Sequence, residues 1–105
     1  MIRKILILLF FFLFPLYATE FDQQIESLYQ EGKFEDALSR YQKLLEKTPN
    51  SIELLYNMGN TYFKLNQRGL AIASYRKALK LKPYDEDIMT NLNFARETVT
   101  DEIVL

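Results

Sequence analysis

Apolar residues recur three and four places apart through residues 19–100, the spacing of amphipathic helices, and no stretch reads as a strand. Phe21, Ile25, Leu28 and Tyr29 mark a first helix, with Thr19 and Asp22 placed as a capping box at its start. Gly32 and Lys33 break the pattern. A second helix carries Phe34, Ala37, Leu38, Tyr41, Leu44 and Leu45 and stops before Pro49. Asn50, three residues before Glu53, is the expected cap of a third helix, which carries Leu54, Leu55, Met58, Tyr62, Phe63 and Leu65. Residues 66–69 are expected to turn. A fourth helix then carries Leu70, Ala71, Ile72, Tyr75, Ala78, Leu79 and Leu81 up to Pro83. A fifth begins near Asp85, with Ile88, Met89, Leu92 and Ala95 on its apolar face. The fold class is all-α.

Residues 1–18 follow a different rule. Arg3 and Lys4 precede an unbroken apolar run from Ile5 to Phe14, then Pro15 and, at the end, the small Ala18. A basic start, a short apolar core and a small-residue end describe a secretory signal, and the run falls short of the roughly 20 residues of a comfortable membrane span. Export to the periplasm or the outer face of the cytoplasmic membrane is expected, with a cut after Ala18. A chain that kept residues 1–18 would be held at the membrane by them.

The polar and apolar positions also repeat over a longer distance. Ala37, Tyr41, Lys43, Leu45 and Pro49 are matched by Ala71, Tyr75, Lys77, Leu79 and Pro83, each pair 34 residues apart. A fixed period of that size means stacked supersecondary units, each too small to bury its own apolar face. The stretch YNMGNTYFKLNQRGLAIASYRKALKLKPYD, from Tyr56 to Asp85, resembles a tetratricopeptide repeat, TPR. The resemblance implies two antiparallel helices per unit: Gly59 admits the partner helix, Tyr62 and Tyr75 fill the gap, Ala71 and Ala78 keep the crossing tight. The expected organisation is a divergent unit over 19–51, a full unit over 52–85, and a capping helix with tail over 86–105. The divergence is Ile25, which stands at the counterpart of Gly59 and is expected to set the first helix further out or at another angle.

A narrower resemblance is carried by the apolar start, LYQEGKFEDALSRYQKLL, YNMGNTYFKL and LKPYDEDIMTNLNFARETVTDEI taken in order. Together these are similar to the BatE-type TPR protein of bacterial aerotolerance operons. That resemblance implies an exported adaptor that binds protein within an envelope complex. A membrane-tethered, self-assembling structural subunit without a peptide ligand is the alternative.

The first helices of TPR pairs line a groove that cradles peptides or partner helices. Away from the inter-helix face, the third helix presents Glu53, Tyr56, Asn57, Asn60, Phe63 and Lys64; the fifth presents Asp87, Thr90, Asn91, Phe94, Glu97 and Thr98. Candidate binding residues are Tyr56, Asn57, Asn60, Lys64, Asn91 and Phe94. Asn57 and Asn91 lie one period apart and are expected to stand in register, their amides free for a ligand backbone and their removal nearly neutral for stability. Solvation alone would account for the same residues. The acidic Asp22, Glu26, Glu53, Asp87 and Glu97 on this face disfavour a carboxylate ligand of the kind that chaperone-docking TPR modules clamp.

Composition removes most chemistry. The 105-residue chain has no cysteine and no histidine, so the commonest nucleophile, general base and metal ligands are missing. No enzyme activity, cofactor or metal is expected. Asp85, Glu86 and Asp87 read as a helix start rather than a metal cluster. A net charge of −1 gives no global attraction to nucleic acid. Arg76, Lys77, Lys80 and Lys82 form one local basic run, read as a solvated outer face.

Overall fold

The structure, a computed structural model, describes residues 23–104, with side chains through residue 99. The signal-like segment 1–18 and the Thr19–Asp22 capping box lie outside the described residues. Five helices follow one another without a strand among the described residues: α1 over 23–30, α2 Phe34–Lys47, α3 Ile52–Lys64, α4 Arg68–Leu81 and α5 Glu86–Val104. No helix among them is long and apolar enough to cross a membrane.

The period of 34 extends into the backbone geometry of the helix ends. α1 and α3 both finish in a left-handed residue, Gly32 at φ 79° and Asn66 at φ 61°, the two types that tolerate this conformation best. The next N–H in each case returns to a carbonyl five residues back, Lys33 to Leu28 at 2.8 Å and Gln67 to Tyr62 at 2.9 Å. That is the Schellman closure, which satisfies the last carbonyls of a helix. The turn after α3 is consequently tighter than expected: α4 already begins at Arg68, and Gly69 lies inside its first turn.

Helix starts obey the same period. Ser51 caps α3 by accepting from the Leu54 N–H at 3.3 Å, and Asp85, 34 residues on, accepts from the Ile88 N–H at 3.0 Å. The cap of α3 is therefore Ser51 and not Asn50, whose place is one residue too early to reach the free N–H groups. The Ile88 N–H bond, together with the Lys82 ammonium 3.3 Å from the carboxylate, holds the Asp85 carboxyl below its ordinary value. A depressed folded-state pKa stabilises the fold above the unfolded value of about 4, and that contribution is lost as pH falls through the folded value. Asp85→Asn keeps an acceptor at the cap but cannot titrate. Its urea midpoint is expected to fall less than the wild type's between pH 6 and pH 3.

Two apolar clusters run along the stack. Ile25, Ala37, Tyr41 and Met58 join α1, α2 and α3; Leu55, Ala71, Tyr75, Ala78, Ile88, Leu92 and Ala95 join α3, α4 and α5. Ala37, Ala71, Ala78 and Ala95 are fully buried, which lets the helix backbones close on one another. Ile25, at the counterpart of Gly59, is only 2% exposed and packs in one cluster with Ala37, Tyr41 and Met58. Met89 departs from the expected apolar face, at 41% exposed, because no helix among the described residues covers that side of α5.

Candidate functional site

The odd-numbered helices share one surface, and the side chains on it fall into two depressions rather than one continuous groove. The first is lined by Ile25, Glu26, Tyr41, Leu44, Glu53, Leu54 and Asn57. The second, about 300 Å³, is lined by Tyr29, Asn60, Phe63, Lys64, Tyr75, Asn91 and Phe94. Asn57 and Asn91 keep their 34-residue register but each serves a different depression.

A chain of hydrogen bonds forms the floor of the second depression. The Tyr75 hydroxyl donates to Asn60 Oδ1, and the Asn91 amide donates to the same oxygen and to the Tyr56 hydroxyl, both at 2.9 Å. Both amide hydrogens of Asn91 are thus spent inside the protein, which leaves its Oδ1 as the group able to meet a ligand. Tyr75 is almost wholly buried, and burial first, then the neighbouring Tyr56 and Tyr29, pushes its phenol far above the ordinary range. It stays a neutral donor across any physiological pH. Burial and then Glu26 also raise the Tyr29 phenol.

The network carries load that exposed groove residues would not. Asn91→Ala removes two hydrogen bonds worth about 0.5–1.5 kcal/mol each, and is expected to cost about 1–2 kcal/mol in a urea titration. A loss within about 0.5 kcal/mol would instead fit the solvated residue expected from the sequence.

The walls are aromatic. Phe63 and Phe94 lie 5.5 Å apart between ring centroids at 50°, and Phe94 is 55% exposed. Lys64 stands beside them, exposed and unpaired with any carboxylate among the described residues. Lys64 is also the one charged residue lining this depression. The acidic face expected from the sequence is divided: Glu26 and Glu53 line the first depression, and repulsion of an anionic ligand belongs to that half.

Of the sequence-derived candidates, Asn60, Lys64, Asn91 and Phe94 come together in one depression. Tyr56 sits behind it, bonded to Asn91 and tilted against Tyr75 at 6.1 Å. Asn57 lies in the other. Tyr29, Phe63 and Tyr75 line the depression and are not among the six candidates. Phe63 lies on the outward stripe of the third helix and Tyr29 one period before it, so the repeat points to both; Tyr75 is expected only in the inter-helix gap, and its hydroxyl reaches the groove because the ring spans the pair.

Among the described residues no group of three carboxylates or other ligands is placed to hold a metal ion. Antiparallel helix pairs stacked at a 34-residue period, with a shared face of aromatic and amide side chains, define a helical-repeat interaction scaffold. Sequence models of two families match the chain: one described as TPR repeat over residues 26–66, and one described as tetratricopeptide repeat over residues 52–85. The matches run together from residue 26 to residue 85, and the chain belongs to the tetratricopeptide-repeat proteins. No curated protein matches it.

Proposed function

We propose that this chain is an exported adaptor that holds an extended segment of a partner protein against the second depression, within a complex of the cell envelope. TPR repeats generally mediate binding of protein partners, and the groove supports that role with a specific chemistry. An apolar or aromatic side chain of the partner packs between Phe63, Phe94 and Tyr29. Asn91 Oδ1 accepts from its backbone, and Lys64 pairs with a carbonyl or carboxylate. The observation that carries the reading is the juxtaposition of the open Phe63–Phe94 pair with an unpaired lysine over a floor fixed by the Tyr75–Asn60–Asn91–Tyr56 hydrogen bonds. Preorganisation of that floor lowers the ordering cost of binding.

Export rests on the basic and apolar pattern of residues 1–18, and an aerotolerance-type complex on the resemblance of the DEDI and FAR stretches. The binding experiment is a titration of the partner recovered from envelope fractions against wild type, Phe94→Ala and Lys64→Glu. Each variant changes an exposed residue and is expected to fold as wild type, and each should weaken binding by about 1 kcal/mol or more, at least fivefold. Unchanged affinity in both would remove this depression as the binding site. For export, residues 1–20 fused to a reporter active only outside the cytoplasm should switch it on, and a silent reporter would sink that part of the reading.

A further inference from the structure

One repeat of this chain shows how a groove is filled, and the next shows the same groove open. Leu45, Leu55, Gly59 and Tyr62 line the slot in which α4 lies: Leu55 is 4% exposed, clustered with Ala71, Tyr75 and Ala78. Moving these residues forward by 34 gives Leu79, Met89, Asn93 and Arg96. These, with Arg76, Lys80, Pro83 and the buried Leu92, line an open groove of about 530 Å³ between α4 and α5. Met89 stands where Leu55 stands and is 41% exposed. The groove lies apart from the aromatic depression and shares no residue with it.

Charge distinguishes the open groove from the filled one. In the filled slot Gln42 donates to the Tyr62 hydroxyl at 3.3 Å, a neutral closure, and Glu46 follows one turn later on α2. Their counterparts are Arg76, Arg96 and Lys80; Arg96 is already engaged within the chain, and Arg76 and Lys80 are the exposed cations beside the groove, with the exposed Lys77 next in line. Glycine is replaced as well. At Gly59 an added Cβ would stand 2.6 Å from Tyr75 Cδ1, so a helix seated over Asn93 as closely as α4 is seated over Gly59 needs a small residue in the place of Tyr75. The basic run of α4 is thus the rim of a slot shaped for a helix. Residues 1–18 of the chain itself hold Arg3 and Lys4 and no acid, which is the wrong charge for this rim.

We infer that the α4–α5 groove is a docking site for an acidic amphipathic helix of a partner protein, one that lays apolar side chains on the exposed Met89 and the half-buried Leu79, carries a small residue over Asn93, and sets carboxylates against Arg76 and Lys80. Apolar contact supplies the affinity, and the paired charges select the partner and its direction.

The probe is a fluorescein-labelled synthetic peptide of this chain's residues 68–82 carrying Arg68→Glu, Arg76→Glu, Lys77→Glu, Lys80→Glu, Lys82→Glu and Tyr75→Ala. Titrated with the full chain, its anisotropy should rise saturably, and the same peptide with its basic residues restored should bind at least about tenfold more weakly. Met89→Glu in the protein should abolish binding, and Arg76→Glu with Lys80→Glu should weaken it about tenfold and favour the basic peptide instead. Both variants change exposed residues, and circular dichroism checks that they fold. Binding that survives Met89→Glu, or equal binding of acidic and basic peptides, would overturn the proposal. So would self-association of the wild type that Met89→Glu abolishes, which would give the groove to a second copy. Capture by phosphatidylglycerol vesicles that needs Arg76 and Lys80 but not Met89 would give the rim to lipid and equally overturn it.

Discussion

Gly59→Leu is expected to leave the protein without a cooperative unfolding transition at 25 °C. A Cβ at this position would meet the Tyr75 ring at 2.6 Å and 2.9 Å from Cδ1 and Cζ, well inside contact distance. The ring cannot retreat: it is 2% exposed, packed in the cluster of α3, α4 and α5, and its hydroxyl is tied to Asn60. Overpacking a tight contact costs about 1–3 kcal/mol for small excesses, more for a side chain of leucine's size. Gly59→Ala is a finer test, because alanine gains about 1 kcal/mol of helix propensity over glycine. The clash is expected to exceed that gain and lower the melting temperature by a few degrees. Gly69→Ala has the opposite sign. Nothing lies within 4 Å of a Cβ there, the residue is in the first turn of α4, and the melting temperature should rise. Circular dichroism melts of the three variants separate the readings, and a stabilised Gly59→Ala would refute the close approach of α3 and α4.

Removal of residues 86–105 is expected to have the second largest effect. α5 contributes Ile88, Leu92 and Ala95 to the larger cluster, exposed by 2%, 4% and 0%. Burying a side chain such as Ile or Leu stabilises by about 1.5–3 kcal/mol, so their loss, with newly exposed surface on α3 and α4, removes about 5 kcal/mol. Small domains hold only about 5–15 kcal/mol in total. The truncated chain should melt at least 15 °C lower or show no transition, since 1 kcal/mol shifts the midpoint of a domain this size by about 4–8 °C. An unaltered melt would mean that α5 contributes nothing to the core.

Much of this architecture is local in origin and therefore written in the sequence. Helix period, Pro49 and Pro83 as stops, and the 34-residue match of Tyr41 with Tyr75 each depend on residues close together in the chain or on direct comparison of two stretches. The buried alanines followed as well, because a repeat places equivalent residues in equivalent contacts. The cap of α3 shows where local reasoning stops. Asn50 and Ser51 are both good capping types, and the path of the chain through Thr48 and Pro49 decides that Ser51 reaches the free N–H groups.

The sites depended on distance through space. Asn57 and Asn91 are identical residues one period apart, yet their neighbours are not: Asn91 faces Tyr56 and Asn60, and the residues one period before these are Asp22 and Glu26. Periodicity determines which direction a side chain takes, so the sequence alone put both asparagines on one face. What each meets there is decided by whichever helix packs alongside, and that turned one expected groove into an acidic depression and an aromatic one. Met89 makes the same point on the opposite side of α5. Its apolarity was visible in the chain, but its 41% exposure exists only because no following helix among the described residues covers it. Hydrophobic patterning records which face a residue is built to bury, and only the packed neighbours determine whether that burial is achieved.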